Sequence, residues 1–134
     1  MGRKIGGITL RELLGMGLLT GLLLAGLLSA WYLSRQHTAM SSAMEECTWL
    51  ALSGQWENGK EKAEAVRQTW EKSWIIFAAF SDHGPMEEID ALFRELAVYG
   101  AAGERTDFAR TCAVLTDKLE AMASSARFSW WNVL

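Results

Sequence analysis

Residues 13–33 read LLGMGLLTGLLLAGLLSAWYL, a run of 21 residues without a charged side chain. A helix needs about 20 apolar residues to cross the ~30 Å hydrocarbon core of a bilayer, so this run is long enough for one crossing. An apolar run of this length is typical of a transmembrane helix rather than of a soluble one. We therefore predict a cytoplasmic tail over residues 1–12, a transmembrane helix over 13–33 and a folded domain over 34–134.

The charges on either side of this run predict which side of the membrane each end occupies. Three basic residues and one acidic residue precede it, whereas Arg35 is the only basic residue among positions 34–48. Basic flanking residues are retained on the cytoplasmic side. We therefore expect a single-pass protein of the cell membrane with a cytoplasmic N-terminus and an extracytoplasmic C-terminal domain.

A cleaved secretory signal is the alternative interpretation, because it also combines a basic start with an apolar middle. Signal peptides have an apolar run of about 7–15 residues and a cleavage site with small residues on both sides of a variable one. The nearest candidate here is Leu28-Ser29-Ala30, in which Leu28 is large. The sequence favours an uncleaved anchor and leaves cleavage open.

Small residues recur at every fourth position of the predicted span. They are Gly17, Gly21, Ala25 and Ser29. Residues four apart lie on one face of a helix, and small side chains on that face let a second helix approach closely. We interpret them as a helix-pairing stripe, for a second copy of this chain or for another integral membrane protein. The simpler alternative is that Gly is common in membrane helices.

Aromatic residues mark the outer end of the span and the end of the chain. Trp31 and Tyr32 close the apolar run, and Trp130 and Trp131 lie close to the C-terminus. Such rings favour the headgroup layer because one edge is apolar and the other is polar. We expect all four at the membrane interface. The alternative for the C-terminal pair is that it completes the core of the domain.

The domain after Ser34 is acidic, with ten basic and fifteen acidic residues and hence a net charge of −5. Nucleic-acid binding needs clustered Lys and Arg, so nucleic acid is not an expected partner. The chain has one proline and no low-complexity run. Its Ala, Glu, Leu, Lys and Arg content favours helices.

Apolar residues recur with helical spacing in four segments after the span, which place them on one face of each helix. The first segment, 37–54, can continue from the span without a break, and its apolar or small positions are Met40, Ala43, Cys47, Leu50 and Gly54. The second covers about 57–81. Pro85 is expected to open the third, and Thr106 or Asp107 to cap the fourth.

Short connections between amphipathic helices predict an all-α fold: an N-terminal transmembrane helix followed by an antiparallel four-helix bundle of two αα-hairpins. A short solenoid of helical hairpins is the alternative. Such arrays usually need three or more repeats to bury their apolar faces, so the bundle is the simpler arrangement.

Two cysteines, Cys47 and Cys112, lie on the predicted core faces. At 1.5 Å per residue, both are about 10 Å below the outer end of the bundle. A disulfide between them is geometrically conceivable outside the cell. Buried free thiols are the interpretation favoured by their apolar surroundings.

No motif in the sequence predicts catalysis, a metal site or a cofactor. His37 and His83 have none of the spacings of known metal sites, and there is no glycine-rich phosphate loop. No serine or cysteine is placed beside a base by a recognisable motif. We therefore expect no enzyme, no metal and no cofactor.

Several residues after the span form a pattern that resembles a known family. The pattern consists of Trp56 after a Ser-Gly turn, Trp70, Trp74, Phe80 with Asp82-His83, Ile89, Leu96 and the terminal Asn132-Val133-Leu134. With a single N-terminal span, it resembles the DUF4363 proteins, small bacterial proteins built on a domain of unknown function. Gly84-Pro85 departs from the acidic residues of the family pattern. The resemblance implies a spore-forming Gram-positive bacterium and its cell envelope, and it carries no activity, substrate or catalytic residue.

Two functions are compatible with these features. The first is a membrane-anchored extracytoplasmic interaction protein, an accessory or regulatory subunit of another membrane protein. The alternative is a peptide- or lipid-binding module that uses a groove between the two helical hairpins. An open apolar groove lined by Trp49, Trp56 or Trp70 would favour the second function, and a closed core would not.

Overall fold

The computed structural model describes residues 7–131, with side chains for all of these except Phe80 and residues 126–131. Its regular elements are four helices: α1 over Leu10–Leu52, α2 over Trp56–Phe80, α3 over His83–Ala102 and α4 over Arg105–Trp131. Two or three residues connect each helix to the next, so successive helices run antiparallel. The predicted all-α helical bundle is therefore confirmed.

Helix α1 contains both the predicted span and the first helix of the bundle in one continuous helix of 43 residues. It begins with a capping box, in which the Thr9 side chain accepts from the backbone N–H of Glu12 and the Glu12 carboxylate accepts from the backbone N–H of Thr9. It ends before Gly54, whose φ of 85° is a conformation that glycine adopts without strain. The span and the bundle thus share one rigid element.

The two halves of α1 differ in exposure to solvent. Residues 10–25 are all exposed. From Leu33 onward one face is buried in the bundle, and it consists of Leu33, His37, Met40, Ser41, Met44, Cys47 and Ala51. Apart from Ser41, these residues alternate in spacing between four and three, and Ser41 makes the buried face wider than a single stripe. Because the burial begins at the last residue of the apolar run, the outer end of the predicted span is also the base of the core.

The core lies around α1, which packs most extensively on α4 and then on α2. Helix α3 packs on α4, whereas α2 and α3 contact each other only sparingly. The other helices contribute to the core Trp56, Ala63, Val66, Trp70 and Phe77, then Met86, Ile89, Phe93 and Leu96, and then Phe108, Ala109, Cys112, Leu115, Leu119 and Met122. The bundle is therefore closed on the α1 and α4 sides and open between α2 and α3.

Two helix starts differ from the expected positions. Helix α3 begins at His83 with Asp82 as its N-cap, so Pro85 lies inside the first turn. Proline is tolerated there because the first N–H groups of a helix have no partner within it. Helix α4 begins at Arg105. Thr106 and Asp107 therefore lie in its first turn, where the acidic side chain suits the positive end of the helix.

Candidate functional site

An open groove lies between α2 and α3, where the two helices separate. Its outer part has a volume of about 310 Å³ and is lined by Ala63, Phe93 and Leu96 among others. Its inner part, closer to the span, has a volume of about 610 Å³ beside Trp70 and Trp74. Volumes of this size are typical of ligand pockets. The groove is thus the concave surface that a ligand or peptide could enter.

Several small residues contribute to the lining of the outer groove. Ala97, Gly100 and Ala101 of α3 lie across from Ala63 of α2. A Cβ on Gly100 would meet the ring of Phe108 at 3.5 Å, which is an ordinary contact distance. Small side chains of this kind leave room for the backbone of another helix to approach.

The rim of the groove carries charges of both signs. Arg67 of α2 forms ion pairs with Glu64 and Glu71 of the same helix. Arg94 lines the rim from α3. The hydrogen bonds from Arg67 are the main reason that the pKa of the Glu64 carboxyl is lowered. The rim therefore presents both acceptors and donors to whatever enters.

One carboxylate joins α2 to α3 at the inner end of the groove. Asp90 of α3 accepts a hydrogen bond from Trp70 Nε1 at 2.5 Å and another from Trp74 Nε1 at 3.1 Å. The Trp70 side chain is only 1% exposed, and its ring centroid lies 6.3 Å from that of Phe93. A buried indole N–H needs an acceptor, and Asp90 supplies it. Two of the family-like tryptophans are thus held by one acidic residue.

Sequence reasoning did not select Asp90, although a signal for it exists. It follows Ile89 and precedes Phe93 by three residues, so it lies on the edge of the apolar face of α3. An acidic residue on that edge, opposite a helix with two tryptophans on its inner face, indicates an indole acceptor. The antiparallel pairing of α2 and α3 is needed to bring the three residues together.

A histidine lies in the core near the base of the bundle. His37 is fully buried, and its ring centroid lies 4.4 Å from that of Phe77 and 6.5 Å from that of Trp70. Neither ring nitrogen has a hydrogen-bond partner among the residues that the structure describes. Burial lowers the pKa of His37 to about 4, because an apolar pocket disfavours the charged ring. The ring is therefore neutral at neutral pH.

The two cysteines are present as buried free thiols on α1 and α4. Burial raises the pKa of the Cys47 thiol to about 11. Burial also raises the pKa of Cys112, and Cys47 is close enough for a charge on it to raise that pKa further. Thiols of this kind stay protonated and inert at neutral pH. A disulfide between the two remains a prediction.

The predicted helix-pairing stripe lies on the part of α1 that leaves the bundle. Gly17, Gly21 and Ala25 are exposed, whereas Ser29 is half-buried. The Ser29 hydroxyl donates to the carbonyl oxygen of Ala25 at 2.8 Å, which satisfies it within the helix. A Cβ added at Gly17 or Gly21 would meet nothing within 4 Å. Within the described residues, the stripe is therefore a free surface.

The aromatic residues at the base of the bundle are only partly described. Trp31 and Tyr32 are exposed, and the Arg35 guanidinium lies 5.3 Å from the centroid of the Trp31 ring. Trp130 and Trp131 belong to the last turn of α4, but their side chains lie outside the described residues. The backbone of α4 places both residues at the end of the bundle that is nearer the predicted membrane.

The distance of the last turn of α4 from the predicted membrane follows from one contact between α1 and α4. The Ser41 hydroxyl donates to the Glu120 carboxylate at 3.3 Å, so these two residues lie at the same height on α1 and α4. At 1.5 Å per residue, the eleven residues from Glu120 to Trp131 bring α4 about 16 Å closer to the predicted membrane, level with Ala30. The backbone is therefore compatible with the predicted interface position.

Trp56 and the Asp82-His83 pair lie at the two ends of the bundle. Trp56 is buried at the outer end, with its ring centroid 4.9 Å from that of Phe108 in an edge-on arrangement. Asp82 and His83 form the short turn into α3 and are both exposed. Asn132 lies outside the described residues. The structure thus joins Trp70 to Trp74 and leaves Trp56 and the turn apart from them.

Two features of the described residues bear on membrane and metal binding. Helix α1 is long and apolar enough to cross a membrane, judged by length and composition, and its most apolar stretch is entirely exposed. No group of three or more His, Cys, Asp or Glu side chains in the described part of the chain is placed to hold a metal ion.

Comparison with known proteins gives one result. The family model Domain of unknown function (DUF4363) matches residues 27–133. That range includes the bundle half of α1 and all of α2, α3 and α4. Neither the curated proteins nor the solved structures contain a match.

Proposed function

We propose a function for this chain, which belongs to the DUF4363 family: it is a membrane-anchored helical interaction protein that acts as an accessory or regulatory subunit of another membrane protein. The observation that carries the proposal is the exposed half of α1. All of residues 10–25 are exposed, and most of them are apolar. Soluble monomers rarely expose an apolar surface of this extent, so something must cover it.

The bilayer is the partner that fits this surface. The 21 residues from 13 to 33 extend about 31 Å as a helix, which matches the ~30 Å hydrocarbon core. The excess of basic residues before the span supports a cytoplasmic N-terminus and an extracytoplasmic bundle. The family resemblance adds the cell envelope of a bacterium as the expected setting.

The continuity of α1 supports a regulatory role rather than a passive anchor. No Gly or Pro occurs between Gly26 and Gly54, and α1 is one continuous helix where the predicted span enters the bundle. The same helix carries the core stripe from Leu33 to Ala51. A partner that tilts or rotates the span would therefore move the whole bundle with it.

Crosslinking along the predicted stripe tests this proposal. A photoreactive residue in place of Leu24, beside the stripe, is expected to crosslink to a membrane partner or to a second copy in intact cells. Gly21→Leu should abolish the crosslink, because the larger side chain blocks close approach. Gly15→Leu, on the opposite face, is the matched control. Both glycines have nothing within 4 Å of an added Cβ.

Two results would count against the proposal. One is the absence of any crosslink from the photoreactive residue at position 24. The other is an equal loss of crosslinking in both glycine variants, which would show that the stripe has no special role.

The groove between α2 and α3 favours a second candidate function, the binding of an amphipathic helical peptide. The groove is open, apolar at its floor and lined in part by Trp70. The rim has charges of both signs, which suits the mixed side chains of a peptide better than an acyl chain.

Filling the groove tests this second function. Ala97→Trp places a large ring in the lining of the groove, and Ala113→Trp places the same ring on an exposed position of α4. A peptide-containing partner recovered in mild detergent should be lost with the first variant and kept with the second. Retention in both variants would exclude the groove as its binding site.

A further inference from the structure

The lower part of α2 has an exposed face that packing within the bundle does not explain. Lys72, Ile75, Ile76 and Ala79 are all exposed there. Their positions i, i+3, i+4 and i+7 put them on one side of the helix. Ile75 is 80% exposed and Ile76 is 45% exposed. We refer to these four residues as the α2 base patch.

This patch differs from a scattered apolar residue. A single exposed apolar side chain is normal on a protein surface, and Val98 of α3, at 64% exposed, is such a case. Ile75 and Ile76 are adjacent and share their face with Ala79. The face becomes basic at Lys72, which lies farther from the end of α2. Within the described part of the chain, Lys72 takes part in no ion pair.

The contact between Phe77 and His37 gives the height of the patch above the predicted span. The two rings lie 4.4 Å apart, so Phe77 is level with His37 on α1. His37 follows Leu33 by four residues, which is about 6 Å along the helix. Ile76 and Ile75 therefore lie roughly 7–9 Å above the end of the apolar run if the bundle stands upright.

A modest tilt brings this patch into the headgroup layer. The polar layer adds about 5–8 Å on each side of the hydrocarbon core. The axis of a packed helix lies about 8–10 Å from its neighbour. Membrane helices tilt by about 20° on average, and such a tilt toward α2 would lower that helix by about 3 Å. The two isoleucines then lie within the layer.

We propose that the α2 base patch is a second membrane contact, which rests on the lipid headgroups beside the span and tilts the bundle toward α2. The isoleucines lie within the headgroup layer, and Lys72 lies farther from the hydrocarbon core. Apolar side chains gain from burial near the acyl chains, and a lysine beside them is attracted to anionic headgroups. The inference rests on the proposed anchoring of α1 in the bilayer.

Depth-dependent quenching tests the inference with the full chain in vesicles of phosphatidylcholine and phosphatidylglycerol. A fluorophore is attached to a cysteine at Ile75, at Val98 or at Leu22, all of which are exposed. Cys47 and Cys112 are fully buried, so they should not react in the folded chain. Spin-labelled lipids carry the quencher either at the headgroup or deep in the acyl chain.

The inference predicts that headgroup quenching at residue 75 is several-fold stronger than at residue 98. Equal, weak quenching at both positions would overturn the inference. A protein would then be the expected partner of the α2 base patch. The label at residue 22 separates this failure from that of the anchor. Strong quenching at residue 22 by the acyl-chain quencher would show that the span is inserted in the bilayer. Its absence would contradict the proposed function itself.

A charge placed at an exposed position of the patch provides a second test. Ala79→Glu should reduce the headgroup quenching at residue 75 several-fold, because a carboxylate resists transfer out of water. Ala91→Glu, on an exposed position of α3, is the matched control and should leave it unchanged. Unchanged quenching in the Ala79→Glu variant would overturn the role of the patch.

Discussion

The indole Nε1 of Trp70 on α2 lies 2.5 Å from Oδ1 of Asp90 on α3, and this bond crosses the most open side of the bundle. The two helices contact each other only sparingly, so their separation depends on few interactions. Asp90 also accepts from Trp74. A single carboxylate of α3 therefore binds two tryptophans of α2 at the inner end of the groove.

Removal of this carboxylate should destabilise the chain. Asp90→Ala leaves the buried Trp70 N–H without an acceptor, which should lower the free energy of unfolding by about 1–3 kcal/mol. Asp90→Asn keeps one oxygen and should cost less. Denaturant titration of the detergent-solubilised chain, followed by tryptophan fluorescence, measures both. Asp117→Ala, on an exposed position of α4, is the control. Equal stability of the Asp90→Ala and Asp117→Ala variants would contradict the assigned role.

The buried His37 should make stability depend on pH. Its folded-state pKa of about 4 lies below the ordinary value of 6.5. The unfolded chain therefore takes up the proton first as the pH falls. The stability that the neutral ring provides is complete above pH 6.5 and is lost as the pH falls toward 4, by up to about 1.4 kcal/mol per pH unit.

Replacement of His37 isolates this contribution from that of the carboxylates. His37→Met keeps the pocket filled without a titrating group, so unfolding measured from pH 7 to 4 should show a shallower loss of stability. His83→Gln, at an exposed position of the same chain, is the control substitution. A slope that is the same in the wild type and in the His37→Met variant would show that the ring is not held neutral by burial.

Thiol labelling should distinguish buried thiols from a disulfide. Both cysteines are fully buried, and burial raises the pKa of each thiol. We expect no alkylation of the folded chain at pH 8 and alkylation of both cysteines after unfolding without reductant, counted by mass spectrometry. Alkylation of the unfolded chain only after reduction would demonstrate a disulfide instead.

The close approach of α1 and α2 at Gly59 should restrict substitution there. A Cβ on Gly59 would lie 3.4 Å from the backbone nitrogen of Ala51 and 3.5 Å from the carbonyl oxygen of Cys47. Gly59→Leu should therefore force the helices apart and cost about 1–3 kcal/mol of unfolding free energy. Asn58→Leu adds a side chain of the same size at the neighbouring exposed position and should cost much less. Similar losses in both variants would contradict the close approach.

The sequence was sufficient to predict the helices because most apolar stripes are well separated from polar residues. In α4, Phe108, Cys112, Leu115 and Leu119 have the spacing of one helix face, and all four are buried. The stripe of α1 was predicted less well. Met44 and Ala51 are buried there, whereas Leu50 is only half-buried. Helix α1 packs on both α2 and α4, so its buried face is wider than one stripe and its centre cannot be read from spacing alone.

The residues that the sequence did not assign to a site are polar residues whose neighbours come from other helices. His37 has the spacing of the α1 core stripe, four residues after Leu33, but a histidine there becomes a core residue only when Phe77 and Trp70 surround it. Asp90 becomes an indole acceptor only through the pairing of α2 with α3. Both assignments depend on tertiary packing, which spacing along one helix does not contain.

Labelling of intact cells with a membrane-impermeant maleimide tests most directly whether α1 crosses the membrane and leaves the bundle outside. One variant carries Gln55→Cys in the turn between α1 and α2, and the other carries Gly6→Cys before the span. We predict that residue 55 is labelled in intact cells and residue 6 only after permeabilisation. Labelling of residue 6 but not of residue 55 in intact cells, or protection of both until lysis, would contradict the account.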